Sequence, residues 1–191
     1  MFRKLLIASV IALGSVAQAN TVAEMVAQSS MNAFFSTEVE AQGFNFKVGD
    51  SANYKMDMGF IKGTMAMTVK TVAADEVVIG QDMDLGFMGK QNCEMTINPQ
   101  TGETKKMICN GQEQQKGNKD DVELVESKED TVTVPAGTFT CLYIKAKQKS
   151  QNVMIEQWVN PKEIPVFGLA KTIAPTQMGQ MVIELTSFKR N

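Results

Sequence analysis

One absence narrows the chemistry open to this chain at once: none of its 191 residues is histidine. Ser-His-Asp and Cys-His triads, the usual zinc sites and imidazole general-base catalysis are excluded together. Asp82 and Asp84 form a D-x-D, and Asp57 is placed on a neighbouring strand. Such carboxylates could hold a divalent cation or serve acid–base chemistry. Strand alternation, however, sets both aspartates on the parity opposite Met83 and Leu85, where a solvated face is expected. Neither an EF-hand loop nor a Gly-rich phosphate loop occurs. No catalytic residue, metal ligand or cofactor is assigned, and the chain is read as non-enzymatic.

Methionine is in excess, with fourteen in the chain. Met56 and Met58 fall on one parity of a strand pattern, as do Met65 and Met67, so four thioethers are expected side by side. Three explanations compete. Met is a common filler of apolar cores. It also lines adaptable apolar cavities, because its unbranched, polarizable side chain repacks around varied ligands. Soft sulfur ligands also suit Cu(I). The candidate ligand-binding residues are Tyr54, Met56, Met58, Met65, Met67 and Trp158.

The three cysteines are read through the compartment. Arg3 and Lys4 form a positive n-region, Leu5 to Val16 an apolar run, and Ala17-Gln18-Ala19 a small-x-small cleavage site. Residues 1–19 therefore read as a signal peptide cut after Ala19, and the chain as periplasmic or secreted. Twelve apolar residues fall short of the roughly 20 that a spanning helix needs. No later segment is long enough either, so the protein is not expected to span a membrane. In an oxidising compartment cysteines pair. Cys93 and Cys109 flank the turn-rich Asn98–Glu103, and a loop over Pro99–Glu103 sets them opposite each other. Two buried thiols are the alternative, because the register is inferred. Cys141 is then a small core residue rather than a nucleophile.

The elements that position these residues follow from periodicity. Thr21-Val22-Ala23-Glu24 has the capping-box form, and residues 20–36 are expected to make a short N-terminal helix. From Gly43 onward the period becomes two, and residues 44–191 are expected to form a sheet. Tyr54, Met56 and Met58, then Met65, Met67 and Val69, then Val77, Ile79, Met83 and Leu85 lie on one side. Asp120–Asp130 is charged and reads as an exposed edge. Ile164–Leu169, apolar but interrupted by Pro165, reads as an irregular edge. Residues 20–191 are thus expected to be one mainly β domain. Lys plus Arg is 19 against 21 Asp plus Glu, which argues against a nucleic-acid surface.

Phe46-Lys47-Val48-Gly49-Asp50 with Tyr54, Val134-Pro135-Ala136-Gly137-Thr138-Phe139 with Cys141, Gln157-Trp158-Val159-Asn160-Pro161 and Glu184-Leu185-Thr186-Ser187-Phe188 together resemble the TapB-like family of bacterial envelope proteins. The resemblance spans about residues 44–188. It implies an exported, curved antiparallel sheet, similar in outline to the half-barrels of lipoprotein-carrier proteins, and no catalytic residue. The expectation is a binding or carrier module for a lipid or another apolar ligand. The competing class is a structural or interaction protein of the envelope, with a filled core and a protein partner.

Overall fold

The computed structural model describes residues 44–114, 122–149, 152–176 and 179–191. The expected signal peptide and the helix over 20–36 lie outside these residues. Eleven strands form one antiparallel sheet: β1 (Ser51–Met58), β2 (Ile61–Val72), β3 (Val77–Asp84), β4 (Lys90–Ile97), β5 (Thr104–Cys109), β6 (Gln112–Glu113), β7 (Val122–Val134), β8 (Gly137–Gln148), β9 (Val153–Val159), β10 (Leu169–Thr176) and β11 (Gly179–Lys189). Their spatial order is β6-β5-β4-β3-β2-β1-β11-β10-β9-β8-β7. The sheet is two meanders joined by pairing the first strand with the last.

Alternation in the sequence becomes alternation in burial. In β1, Ala52, Tyr54, Met56 and Met58 are buried while Asn53 and Lys55 are exposed. Tight turns hold the register. Gly59 and Phe60 join β1 to β2, with Gly59 at φ 79° in the first turn position, a conformation glycine adopts without steric cost. The β4–β5 hairpin closes through Asn98, whose side-chain oxygen accepts from the backbone N–H of Gln100 and of Thr101. A bulge at Thr96/Ile97 takes up one residue, and Cys93 comes directly opposite Cys109.

The sheet curls without closing. Strands β8 and β11 are separated by two others, yet the Ala136 N–H donates to the Leu185 carbonyl at 3.1 Å. Phe139 packs against Phe188 with ring centroids 6.1 Å apart. The free edges are the short β6 and the long β7. Glu123, Glu126, Lys128 and Glu129 on β7 stand in solvent, a charge pattern that discourages pairing with another strand.

One expectation is overturned. Ile164–Leu169 is not an edge but a buried loop joining two interior strands, and Leu169 opens β10. Pro165 keeps the segment out of a ladder, but its apolar side chains are better buried than left on a rim. Asn160 organises this loop. Its amide nitrogen donates to the Thr140 carbonyl and to Glu163, and its oxygen accepts from the N–H groups of Lys162 and Glu163. Gly168, at φ 69°, leaves no room for a side chain, since a Cβ there would sit 2.6 Å from the Pro161 nitrogen.

Candidate functional site

Five of the six candidate ligand residues share one face. Tyr54 lies directly opposite Met65, and Ala52 opposite Met67. Met65 in turn faces Met83 on β3. A second row on the same face runs from Val69 to Ile79, Met95 and Met107, each opposite the next. On the other side of β1, Met56 faces Ile183, and Met181 shares the parity of Ile183. Met56, Met58, Met65, Met67, Met83, Met95, Met107 and Met181 are all buried. At one end of the sheet, Phe46 meets Phe167 of the buried loop edge-on, centroids 6.4 Å apart.

Polar atoms interrupt this apolar face. Gln81 is fully buried on β3, and its amide nitrogen donates to the sulfur of Met65 at 2.9 Å and, more distantly, to that of Met83 at 3.7 Å. Its carbonyl oxygen finds no partner among the described residues. The Tyr54 hydroxyl is likewise buried without a partner. Burial pushes the Tyr54 phenol well above its ordinary pKa, since low polarity disfavours the anion. Gln157, on β9, donates weakly to the Thr172 hydroxyl at 3.4 Å and leaves its own oxygen unpaired. The signal for these glutamines is present in the sequence: each is a polar residue on the apolar parity of its strand, between Ile79 and Met83 or between Ile155 and Val159.

Trp158 is not with the other five. Its neighbours Gln157 and Val159 are buried, so strand parity turns Trp158 to the opposite face. There its indole N–H donates to Asp130 at 2.8 Å, its ring packs on Tyr143, and Lys171 lies over it at 5.9 Å. The indole hydrogen bond is the main reason the Asp130 carboxyl sits below the ordinary range.

The aspartates also occupy the outer face. Asp82 accepts from Asn92, Asp84 accepts from the Gly86 N–H and pairs with Lys90 at 3.5 Å, and Asp57 pairs with Lys62. Their oxygens are engaged with protein donors. A concavity of about 390 Å³ opens among them, lined by Asn53, Asp82, Asp84 and Asn92 together with Tyr54, Met65 and Met83. Its lining is part polar and part apolar and it is half open to solvent, unlike the enclosed sites typical of small ligands.

Cys93 and Cys109 are joined by a disulfide with Cα atoms 4.1 Å apart. Cys141 is a buried free thiol, pushed up to about 11 chiefly by burial, with Glu163 and Asp130 adding to the shift. Among the described residues no helix is long and apolar enough to cross a membrane.

No protein-family model matches the chain, and no characterised protein matches it by sequence. Solved structures give distant likenesses. A proposed exported protein with a YmcC-like fold from Bacteroides fragilis superposes at TM-score 0.44 and 13% identity, over 77% of this chain and 98% of the other. A proposed lipoprotein from Parabacteroides distasonis gives the same values. MucB gives TM-score 0.40 at 10% identity, over 87% of this chain and 58% of its own. At this distance the likenesses assign no activity.

Proposed function

We propose that this chain is an exported, non-enzymatic carrier or binding module whose methionine-rich face takes a lipid or another apolar ligand. The observation that carries the reading is the continuity of that face: Tyr54, Met56, Met58, Met65 and Met67 form one patch across β1 and β2. Thioether side chains conform to varied apolar shapes at little cost. Export is supported by the Arg3–Ala19 leader pattern, which places the mature protein in the periplasm or outside the cell. The TapB-like resemblance agrees with an envelope role. A Cu(I) site is less well supported, because the sulfurs of Met65 and Met83 already accept from Gln81.

A second reading has an observation of its own. Every side chain of the patch is buried, Met67 being the most exposed at 3%. That favours an envelope interaction protein with a filled interior. Binding of Nile red separates the two. A carrier takes the dye saturably, and Met65→Lys abolishes uptake, because a charge in an apolar site is costly. A native protein that takes up no dye, and whose Met65→Lys variant is only destabilised, rejects the carrier.

A further inference from the structure

The methionine-rich face is not uniformly apolar, and its polar atoms are placed in a way that folding does not explain. Tyr54 and Met65 oppose each other across the β1–β2 pair, and Gln81 reaches the Met65 sulfur from β3. Tyr54 and Gln81 thus neighbour one methionine from two strands, and neither the Tyr54 hydroxyl nor the Gln81 carbonyl has a hydrogen-bond partner among the described residues. Gln157 adds a third unpaired oxygen. Its row runs through Thr172 and Ile183 to Met56, the next residue after Tyr54 on the same face of β1. Leaving such groups unpaired costs stability, whereas leucine or phenylalanine in their places would cost none. Buried orphans of this kind call for a ligand or an ordered water.

The charge of the face is as informative as its polarity. Among the described residues no lysine or arginine is buried, and the buried carboxylate, Asp50, is engaged by the backbone N–H groups of Lys47 and Asn191. A carboxylate or phosphate brought onto this face would meet no cation to offset its desolvation. A neutral group bearing hydroxyls or an amide would meet a phenolic donor and two carbonyl acceptors instead.

Resting on the carrier reading, we propose that the ligand is an uncharged amphiphile. Its acyl chain lies along the methionines, and its hydroxyl- or amide-bearing head hydrogen-bonds Tyr54 Oη and Gln81 Oε1. Phospholipids and free fatty acids, whose heads are ionised, are disfavoured by the same site.

Competition with bound Nile red tests this on the intact oxidised protein. Monoolein, oleate and octadecene share an unsaturated C18 chain and differ in the head: neutral polyol, anion, or none. Monoolein is expected to displace the dye at about tenfold lower concentration than either of the others, since a site built around hydrogen bonds penalises analogues that lack them. Tyr54→Phe and Gln81→Met should each reduce that advantage about fivefold or more, with oleate and octadecene unmoved and unfolding midpoints showing both variants folded. Equal displacement by oleate overturns the inference. A monoolein preference that survives both substitutions also overturns it, and points to ordered water on the orphan atoms. Dye binding without any head-group preference removes this inference alone, whereas no dye binding at all removes the carrier reading with it.

Discussion

The Gln81 side-chain amide donates to the sulfur of Met65 at 2.9 Å, two strands joining through a thioether on a face where both residues are buried. Sulfur is a weak acceptor, so this contact returns little of the cost of burying an amide. The amide oxygen returns nothing within the described chain. Gln81→Met keeps the volume and removes both polar atoms. It should leave stability unchanged or raise it by about 1 kcal/mol, read from urea unfolding of the ligand-free protein. A loss of more than about 1 kcal/mol would show that the amide is satisfied and structural.

The parity of Trp158 gives a test of the two-faced sheet. Its indole holds Asp130 on the outer face, away from the methionines. Trp158→Phe should lower the unfolding midpoint slightly through the lost hydrogen bond to Asp130, and leave Nile red affinity within about twofold. A tenfold loss of dye affinity, with the fold intact, would place the indole in the ligand path after all.

How much of this was legible in the sequence depends on how local the determinant is. The facing of Tyr54, Met56, Met65 and Met67 follows from period-two alternation, and the Cys93–Cys109 register from a turn of fixed length. Both appear in the structure as expected. Trp158 shows the limit. An aromatic residue beside a strand stop reads as a candidate ligand contact, yet its parity partners Gln157 and Val159 already assign it to the other face. Ile164–Leu169 fails for a different reason. Proline excludes a ladder but does not say whether the loop is exposed, and burial is decided by residues far away in sequence, such as Phe46 against Phe167. Strand β10 hides likewise, since Leu169–Thr176 carries buried Thr172 where an apolar residue is expected. Gln81 and Gln157 were readable as breaks in an apolar parity. That they leave unpaired oxygens was not, because hydrogen bonding depends on tertiary placement.

Acid should act on the seam where the first strand meets the last. Glu184 on β11 lies opposite both Lys55 on β1 and Lys171 on β10, with contacts of 2.8 Å and 3.0 Å. Burial pushes its carboxyl up, but the hydrogen bonds from Lys55 and Lys171, reinforced by their charges, outweigh burial and hold it below its ordinary 4.5. A lowered folded pKa means stability that is present above about 4.5 and lost as pH falls through the folded value. Glu184→Gln should therefore cost about 1 kcal/mol at pH 7. That difference from the parent should shrink in acid, as pH falls below 4.5 and the parent carboxyl also becomes protonated. Urea midpoints at neutral and acid pH check this. An undiminished difference in acid would show that Glu184 acts by packing and not by charge.

The disulfide makes the last prediction, because it closes a hairpin that lies near a free edge. Cys93 and Cys109 are 16 residues apart, and β5 is followed only by the two-residue β6 at that end of the sheet. On the chain-entropy model, closing a loop of this length stabilises the fold by about 3 kcal/mol, by restricting the unfolded chain. Changing both cysteines to alanine should lower the unfolding free energy by about that amount, plus a smaller packing loss for two buried side chains. Cys141 should take no part. It is buried, and burial, assisted by Glu163 and Asp130, raises its thiol to about 11, so almost no thiolate exists at neutral pH. A thiol reagent should thus find no fast-reacting group in the native protein and one free thiol after unfolding without reductant. Three free thiols in protein recovered from the exported fraction would mean that the bridge does not form there. A mixed pairing through Cys141 would require the β4–β5 register itself to be wrong.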